Sequence, residues 1–476
     1  MATCTWLGTT SIYWNTATNW SSSTKPTTGD TVEFTSSSTN LATVKDIGAL
    51  SLAAIVISSD PGGNVSIDNS TGTLTLTGSP GITCAYRNLT ISGSKAIILG
   101  AAQTWTSASG KTLTHSALKI TNGGYLLTLD GSGDFVMGDI AGTGGVTKTG
   151  SGNVTCNSGY GGRWSGTNTI SGGIWKMTIE YAAGSSTSNV IVNSGGTLDL
   201  NGQIFGDETR TLDLSGAGVS SNGALINSAG TYDGAQFHIK LSGNATIGGA
   251  TGGNINIVDI NDDAGSYSIT KVGSNILFLD MWNGSTYDGG TIISGGTIHA
   301  TTDKGSGYSA LGTGTVTVNS GGTLNGTGEF TGALTVNSGG TVQVNDATTK
   351  GIMYAMGTAD LSSGGAINIR VAAYATAGTN FDRLAVTSTL TLGGTSVLNL
   401  DLTGCSTTGT ATGIITCSNT PSAFTTVNVT NNTNNYTVTV AYGAGTVNVT
   451  IAAASSSNWL KKGYWWNRTT NSSGVL

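Results

Sequence analysis

Charge is what this sequence has least of. Only 9% of its 476 residues are charged and the net charge is −6, whereas globular domains carry about 25% charged residues. With 37% hydrophobic residues, the composition excludes a chain kept disordered by charge repulsion, which needs low hydrophobicity and high net charge. Apart from a short C-terminal cluster described below, Lys and Arg are dispersed. Because phosphate binding needs clustered cations, we expect no nucleic-acid partner.

Helix formers and long apolar runs are also scarce. The chain contains four glutamates and no apolar stripe at helical spacing. No stretch approaches the ~18 apolar residues of a membrane helix, so no membrane insertion is predicted. The opening residues, MATCTWLGTTSIYW, lack the basic and apolar regions of a secretory signal peptide. This favours assembly inside a cell, as virion parts are assembled, over ordinary export.

Cysteine is rare and odd in number, which implies no disulfide framework. The five are Cys4, Cys84, Cys156, Cys405 and Cys417. Cys405 and Cys417 could bridge a hairpin, or both could be free thiols that pack as small hydrophobic groups. No cysteine or histidine spacing matches a zinc site. We therefore predict no metal site and no cofactor.

Glycine, in contrast, is abundant, with 74 residues against 4 prolines. Residues 316–344, VTVNSGGTLNGTGEFTGALTVNSGGTVQV, alternate apolar and polar positions around an Asn-Ser-Gly-Gly phrase that begins at Asn319 and returns at Asn337. Alternation with turn residues between the runs predicts short strands, and a fixed short period predicts stacked units. The sequence therefore predicts an all-β solenoid of parallel coils, with Gly321 and Gly339 at corners that need positive φ. Coils of roughly 20 residues spaced ~4.8 Å apart would give a rod of about 100 Å.

A longer duplication divides the chain. Val146–Ser151, VTKTGS, returns as Ile269–Ser274, ITKVGS, so that two blocks, about 146–200 and 269–345, are related. We predict an N-terminal cap or module at 1–60 and a solenoid at 61–345. A β-rich continuation at 346–452 and an aromatic, basic tail at 453–476 complete the division.

Aromatic residues crowd both ends. At the N-terminus, Trp6, Trp14 and Trp20 are predicted to cap the first coil, since terminal repeats of solenoids are regularly atypical; the alternative is a patch whose rings stack on sugars. In the tail, a cluster of aromatic and basic residues could dock on a partner or fold back as a C-terminal cap. Its members are Trp459, Lys461, Lys462, Tyr464, Trp465, Trp466 and Arg468.

The order of these motifs resembles a known family. The stretches TKTGSGNVT, NSGYGGRWSGTNTISGGIW and VNSGGTLDL, and their second copies in TKVGSNILFL and NGSTYDGGTIISGGTIHA, are similar to the autotransporter-associated β-strand repeat of bacterial passenger domains. The resemblance covers residues 140–450 best and implies a right-handed parallel β-helix without catalytic residues, in a surface-exposed protein. After Ile451 the sequence departs from the family, because no membrane β-barrel follows.

Candidate catalytic groups are few. Glycoside hydrolysis needs two carboxylates at a defined separation, and the candidates are the adjacent pair Asp262 and Asp263, the pair at 207–208, and the dispersed Asp130, Asp134 and Asp139. Asp262-Asp263, within NDDAG, is more typical of a turn. The three histidines, His115, His238 and His299, are far apart in sequence. We predict no catalytic residue.

Three functions remain open. The first is a non-enzymatic structural or adhesive solenoid on a particle surface, such as a virion fibre, spike or capsid-decoration protein. The second is a bacterial surface adhesin or extracellular filament subunit, and the third is a glycan depolymerase of the tailspike kind. The expected partners are further copies of the chain or other structural proteins of the assembly, and surface glycans. The expected location is a virion or an extracellular or cell surface.

Overall fold

The chain folds into a right-handed parallel β-solenoid of about 14 turns, as the sequence predicts. A computed structural model describes residues 1–156, 163–206, 209–230, 237–280, 284–301, 309–346 and 348–454. Its described residues form 44 strands and two short 3₁₀ helices, Ala17–Asn19 and Val219–Ser221. All strand pairs but two are parallel: β41–β44 and β43–β44, defined below, are antiparallel.

The strand bounds are as follows. Strands β1 to β14 are Thr3–Trp6, Thr31–Phe34, Ala42–Val44, Leu50–Leu52, Ala54–Ile57, Val65–Asp68, Leu74–Leu76, Ile82–Cys84, Leu89–Ser92, Ile97–Leu99, Gln103–Ser107, Thr112–Gly123, Leu127–Asp130 and Asp134–Gly142. Strands β15 to β29 are Val146–Lys148, Val154–Cys156, Arg163–Trp164, Asn168–Ile170, Gly173–Met177, Val190–Val192, Gly196–Asp199, Thr211–Gly216, Leu225–Asn227, Phe237–Gly249, Ile255–Asn261, Ile269–Lys271, Ile276–Asp280, Thr291–Ile293 and Gly296–Thr301. Strands β30 to β44 are Val316–Val318, Gly322–Gly326, Glu329–Phe330, Leu334–Val336, Thr341–Val344, Ile352–Ala355, Ala359–Asp360, Ala366–Arg370, Arg383–Val386, Leu390–Thr391, Val397–Asp401, Gly409–Thr416, Thr426–Thr430, Thr437–Gly443 and Thr446–Ala452.

The core consists of aliphatic side chains stacked from coil to coil. Leu74 pairs with Leu50 on one side and Ile97 on the other, and Ile97 pairs in turn with Ile120. These four side chains are at most 5% exposed, while the residues between the inward positions face outward. Side chains on alternate faces of a strand produce this arrangement, and each coil buries its apolar face only against its neighbours.

Glycine corners adopt the predicted geometry, but the coils are longer than predicted. Gly321 has φ +82° and Gly339 has φ +76°, conformations that cost glycine little. Paired residues lie 18 positions apart at Val318 and Val336 but 31 positions apart at Ile367 and Leu398. Because excursions between strands lengthen many coils, about 14 turns at ~4.8 Å each span roughly 65–70 Å, which is shorter than the predicted rod.

The N-terminal end of the solenoid is covered by its own chain. Residues 7–21 return along the outer edge of β1. The backbone amide of Ser21 donates to the carbonyl of Thr5 over 3.0 Å, and the backbone amide of Leu7 donates to the carbonyl of Asn19 over 2.7 Å. Trp6 and Trp20 form an antiparallel bridge. This segment therefore satisfies backbone groups that would otherwise form an open sheet edge.

The C-terminal end is closed on one side only. The hairpin β43–β44 covers β41 through antiparallel pairing, a reversal of direction that the repeat pattern does not predict. Strand β42 pairs with β40, and among the described residues nothing pairs with its other edge. All five of its residues are exposed, including Val427 and Val429.

Cys405 and Cys417 are both free thiols, which settles the alternative left open by the sequence. Strand pairing runs across the predicted boundary at 345, because β34 pairs with β37; the domain division itself stays a prediction. In the described part of the chain, no helix is long and apolar enough to cross a membrane.

Candidate binding groove

A row of five amide side chains, preceded by one imidazole, follows the outer face of the later coils. It consists of residues that are register partners in successive strands from β29 to β42: His299, Asn325, Gln343, Asn368, Asn399 and Asn428. We call this set the amide row. Its members alternate with buried residues such as Ile367 and Leu398, and the period of two along each strand therefore turns them outward.

Three neighbouring pairs of the amide row are in hydrogen-bond contact, whereas Gln343 forms no such bond to either neighbour among the described residues. Asn428 Nδ2 donates to Asn399 Oδ1 over 2.9 Å, and Asn399 Nδ2 donates to Asn368 Oδ1 over 2.8 Å. The ring Nδ1 of His299 lies 3.0 Å from Asn325 Oδ1. These bonds orient the amides that take part in them, so that fixed donors and acceptors lie on both sides of Gln343.

A surface cavity of about 340 Å³ lies beside this row, near the lower end of the ~300–1,000 Å³ of small-molecule sites. We call it the groove. Its lining combines amides, two carboxyl groups and one guanidinium: Gln343, Asn368, Ile369, Arg370, Asp382, Asn399, Leu400, Asp401 and Thr430. The excursion 371–382 between β37 and β38 supplies Asp382, and the strands supply most of the rest.

Arg370 and Asp382 form the buried wall of the groove. Arg370 Nε donates to Asp382 Oδ2 over 3.1 Å, and the side chains are 12% and 1% exposed. The backbone amides of Arg370 and Gly351 donate to the same carboxyl group over 2.9 and 3.0 Å. Burial raises the pKa of Asp382, although these donors and the positive charge of Arg370 oppose the shift. The pair fixes the guanidinium at the groove.

Asp401 is the carboxylate that the groove presents. Partial burial would raise its pKa, but hydrogen bonds from Asn431 and Thr403 and the charge of Arg370 outweigh burial and lower it, so that the group is ionised at neutral pH. Asn431 and Thr403 both donate to Oδ1, over 2.7–2.9 Å. Within the described residues, Oδ2 accepts no hydrogen bond and remains available to a ligand.

The groove therefore offers both kinds of hydrogen-bonding partner. In the described structure, three groups at the groove have no hydrogen-bond partner: Nδ2 of Asn368, the side-chain amide of Gln343 and Nη1 of Arg370. Together with Asp401 Oδ2 they place donors and an acceptor around one cavity. Because a hydroxyl group both donates and accepts, this arrangement suits a polyhydroxylated ligand.

The three N-terminal tryptophans lie inside the molecule. Trp6, Trp14 and Trp20 are at most 1% exposed. Trp20 packs edge-to-face on the other two, with ring centroids 5.0 Å from Trp6 and 5.6 Å from Trp14. None of these rings has a solvent-exposed face on which a sugar could stack. The sugar-binding alternative for these three residues is therefore wrong. Edge-to-face packing adds stability beyond area burial.

The predicted docking residues of the tail lie outside the described residues. The whole set, from Trp459 to Arg468, belongs to residues 455–476. Its role stays a prediction.

Four of the candidate carboxylates have separate structural roles, and the fifth described one, Asp139, has a buried Oδ1 without a hydrogen-bond partner among the described residues. Asp262 is 6% exposed and its carbonyl accepts the amide of Gly265 over 2.9 Å, while Asp263 has φ +46° and forms an ion pair with Lys240 over 2.6 Å. This is the turn that the sequence predicts. Thr149 Oγ1 donates to Asp130, and the amide of Asn153 donates to Asp134. Residues 207–208 lie outside the described chain.

One imidazole–carboxylate pair was not evident from the sequence. His238 Nδ1 lies 2.7 Å from Asp259 Oδ1, and the side chains are 26% and 9% exposed. The residues are 21 positions apart, which is about one coil. Their contact could therefore have been predicted only if the length of this coil had been known. The groove was missed for the same reason. Gln343, Asn368 and Asn399 are separated by unequal intervals that no fixed period gives.

The described residues contain no group of three or more His, Cys, Asp or Glu side chains placed to hold a metal ion. Comparison of the sequence with protein-family models and with curated proteins found no match.

Proposed function

We propose that this chain is a non-enzymatic, adhesive β-solenoid displayed on the surface of a particle, as a virion fibre, spike or capsid-decoration protein. A β-solenoid is consistent with a structural or adhesive role. The observation that carries the proposal is the amide row with its groove: a series of outward-facing hydrogen-bonding groups that passes two carboxyl groups and one guanidinium. Such a surface suits contact with neutral, hydroxyl-rich polymers such as surface glycans.

Binding to glycans tests the adhesive part of the proposal. The purified chain would be screened against neutral and acidic oligosaccharides, and hits would be titrated by saturation-transfer NMR. We expect Asp401→Ala to weaken binding at least tenfold, because a hydrogen bond to a charged group contributes about 1.5–3 kcal/mol. We expect Asn368→Ala to weaken it about two- to tenfold, because a hydrogen bond between uncharged groups contributes about 0.5–1.5 kcal/mol. Thr317→Ala, on the outer face of β30 and away from the groove, is the matched control. Binding that survives both groove substitutions would contradict this site.

Location is tested separately. Mass spectrometry of purified virus particles and of cell envelopes from the same culture would show where the polypeptide resides. We expect it in virions; recovery from envelopes alone would support the adhesin or filament alternative instead. The family resemblance to passenger-domain repeats is part of this proposal and is compatible with either location.

The depolymerase alternative is favoured by one observation, the pair of His238 and Asp259, because an oriented imidazole is a common general base. An activity screen on bacterial polysaccharides decides it. We expect no product. Product formation that His238→Ala or Asp262→Ala abolishes would overturn the non-enzymatic proposal.

A further inference from the structure

An aromatic ring stands at the head of the amide row. Phe278 on β27 is the register partner of His299, the first member of the row. Its strand neighbours Leu277 and Leu279 are buried, so the period of two turns the phenyl ring to the outer face, where it is partly exposed. The rings of Phe278 and His299 have centroids 5.3 Å apart and are tilted by 56°. We call Phe278 and the amide row together the binding track.

The binding track runs along the axis of the solenoid. Its seven side chains are register partners on seven successive strands of one stack, from β27 to β42. At ~4.8 Å for each step between paired strands, the track is about 29 Å long. The groove lies along its later part, beside Gln343, Asn368 and Asn399, and Phe278 precedes Gln343 by three steps, or roughly 14 Å. A ligand that touches both the ring and the groove is therefore longer than one sugar.

The surface around the track is polar but carries little charge. Apart from His299, no member of the track has an ionisable side chain. Thr297, Thr323 and Thr341 are register partners two residues before track members, so their hydroxyl groups lie on the same outer face. The groove adds two carboxyl groups against one guanidinium, a balance that does not favour an anionic ligand. Because amides and hydroxyls both donate and accept, the track suits an uncharged, polyhydroxylated chain.

The spacing of the track also selects a chain shape. An aromatic ring stacks on the apolar C–H face of a pyranose, while amides bond to its hydroxyl groups. A β-1,4-linked pyranose chain in its extended form advances, for each sugar, by nearly the distance between neighbouring coils. Successive sugars of such a chain would meet successive members of the track, whereas a coiled chain would leave the surface after the first contacts.

We propose that the binding track holds one extended chain of an uncharged, β-1,4-linked polysaccharide along the solenoid axis, with about one sugar for each coil. Phe278 stacks on one pyranose, and the groove holds a sugar farther along the same chain. This inference rests on the proposed function, because it gives the class, length and direction of the ligand at that site.

A length series tests the proposal. Cello-oligosaccharides from cellobiose to cellohexaose would be titrated into the purified full chain and followed by saturation-transfer NMR. We expect affinity to rise with each added glucose, with cellohexaose binding at least about tenfold more tightly than cellobiose. Malto-oligosaccharides are the matched control, because their glucose units are the same but their α-linkages coil the chain. We expect maltohexaose to bind no more tightly than maltose.

Substitution at the ring separates the track from the groove. We expect Phe278→Ala to weaken cellohexaose binding about two- to tenfold and to leave cellobiose binding unchanged, since the disaccharide occupies the groove. Asp401→Ala should weaken both. Ile292→Ala is the control, because it removes a partly exposed apolar side chain from the outer face of β28, which belongs to a different stack of strands.

Retained binding of cellobiose shows that a variant is folded. If Phe278→Ala does not fold, Asn325→Ala makes the same test, because Asn325 belongs to the track but not to the lining of the groove.

The proposal is overturned, and the groove is kept as a glycan site, if cellobiose binds as tightly as cellohexaose or if the maltose series gains as much with length. The same conclusion follows if neither Phe278→Ala nor Asn325→Ala affects cellohexaose, or if the chain binds another oligosaccharide but not the cello series. If no neutral or acidic oligosaccharide binds, the proposed function fails together with this inference.

Discussion

At the scale of single residues, the corners of the solenoid depend on backbone conformation more than on space. A Cβ added to Gly321 would have no neighbour closer than Ser294 O at 4.0 Å, but φ is +82°. A side chain at this position would therefore strain the backbone without clashing with a neighbouring atom. Asn tolerates this region of φ several-fold better than other residues, while β-branched residues are outliers there.

We therefore expect Gly321→Val to destabilise the protein by about 1–3 kcal/mol and Gly321→Asn to cost clearly less. Thermal melting of both variants beside Ser320→Ala, a neighbouring substitution without backbone strain, measures the difference. Equal melting temperatures for the Val and Asn variants would show that backbone strain does not limit this corner.

At the scale of single residues, much of the backbone geometry could be predicted from residue type alone. Gly-Gly phrases between alternating runs predict positive-φ corners, and the backbone confirms Gly321 and Gly339. Tryptophan was ambiguous because a ring can cover a core or stack on a ligand. Only the packed arrangement of Trp6, Trp14 and Trp20 decides between these roles, and sequence does not encode which ring face meets solvent.

At the scale of elements, the duplicated Thr-Lys phrase closes a corner with a buried ammonium group. Lys148 ends β15 and Lys271 ends β26, and both are fully buried, as is Lys45 after β3. Lys271 Nζ donates to Val272 O over 2.6 Å and to Asn275 Oδ1 over 2.7 Å. Lys45 Nζ donates to Ile47 O and Gly48 O over 2.8 and 2.9 Å. These lysines satisfy carbonyl groups that a tight corner leaves without strand partners.

Burial lowers the pKa of each of these lysines to about 8 from 10.5. Between pH 8 and 10.5 the unfolded chain binds more protons at these sites than the folded chain does, so their contribution to stability rises with pH. Cys84 and Tyr287 have the opposite effect on the pH dependence of stability. Burial raises their pKa values, so at high pH these groups ionise in the unfolded chain before they do in the folded chain, and the unfolded state is favoured.

Comparing the unaltered protein with a variant that lacks one buried lysine isolates the contribution of that lysine to the pH dependence of stability. We expect the melting temperature of the unaltered protein minus that of Lys271→Met to increase from pH 8 to pH 10, because only the unaltered protein gains this contribution. Lys95→Met, which removes an exposed cation, is the control. A difference that stays constant or shrinks over this range would show that the buried ammonium group does not titrate as inferred.

At the scale of the whole molecule, strand partners are distributed unevenly along the solenoid. Central strands such as β15 have partners on both sides, β13 and β18, whereas β42 pairs with β40 alone among the described residues. Local opening is easiest where few buried contacts and many exposed hydrogen bonds occur.

We expect amide hydrogen exchange to be slowest in β13, β15 and β18 and fastest, among the strands, in β42. Mass-spectrometric exchange on the full chain would measure this gradient, and β1, whose edge is covered by residues 7–21, provides the comparison at the other end. If β42 is as protected as β15, another segment or another copy covers its edge in solution.

The overall fold was predictable because stacking depends on a local pattern that every coil repeats. Where the fold departs from the prediction, the cause is non-local. Coil lengths vary from 18 to 31 residues, which shortens the rod and brings Asp382 to Arg370. The hairpin of β43 and β44 reverses direction to cover β41, and alternating Thr and Val residues look the same in parallel and antiparallel strands. The groove arises from register, which composition does not reveal.

Among the described residues the outer edge of β42 has no strand partner, and this limits how copies of the chain can join. A contact in which this strand pairs with the same strand of a second copy uses identical patches and is two-fold symmetric, so it closes on itself. At the opposite end, residues 7–21 already occupy the edge of β1. Growth through this β42 contact would therefore stop at a dimer, and a longer fibre would need a further contact elsewhere on the chain.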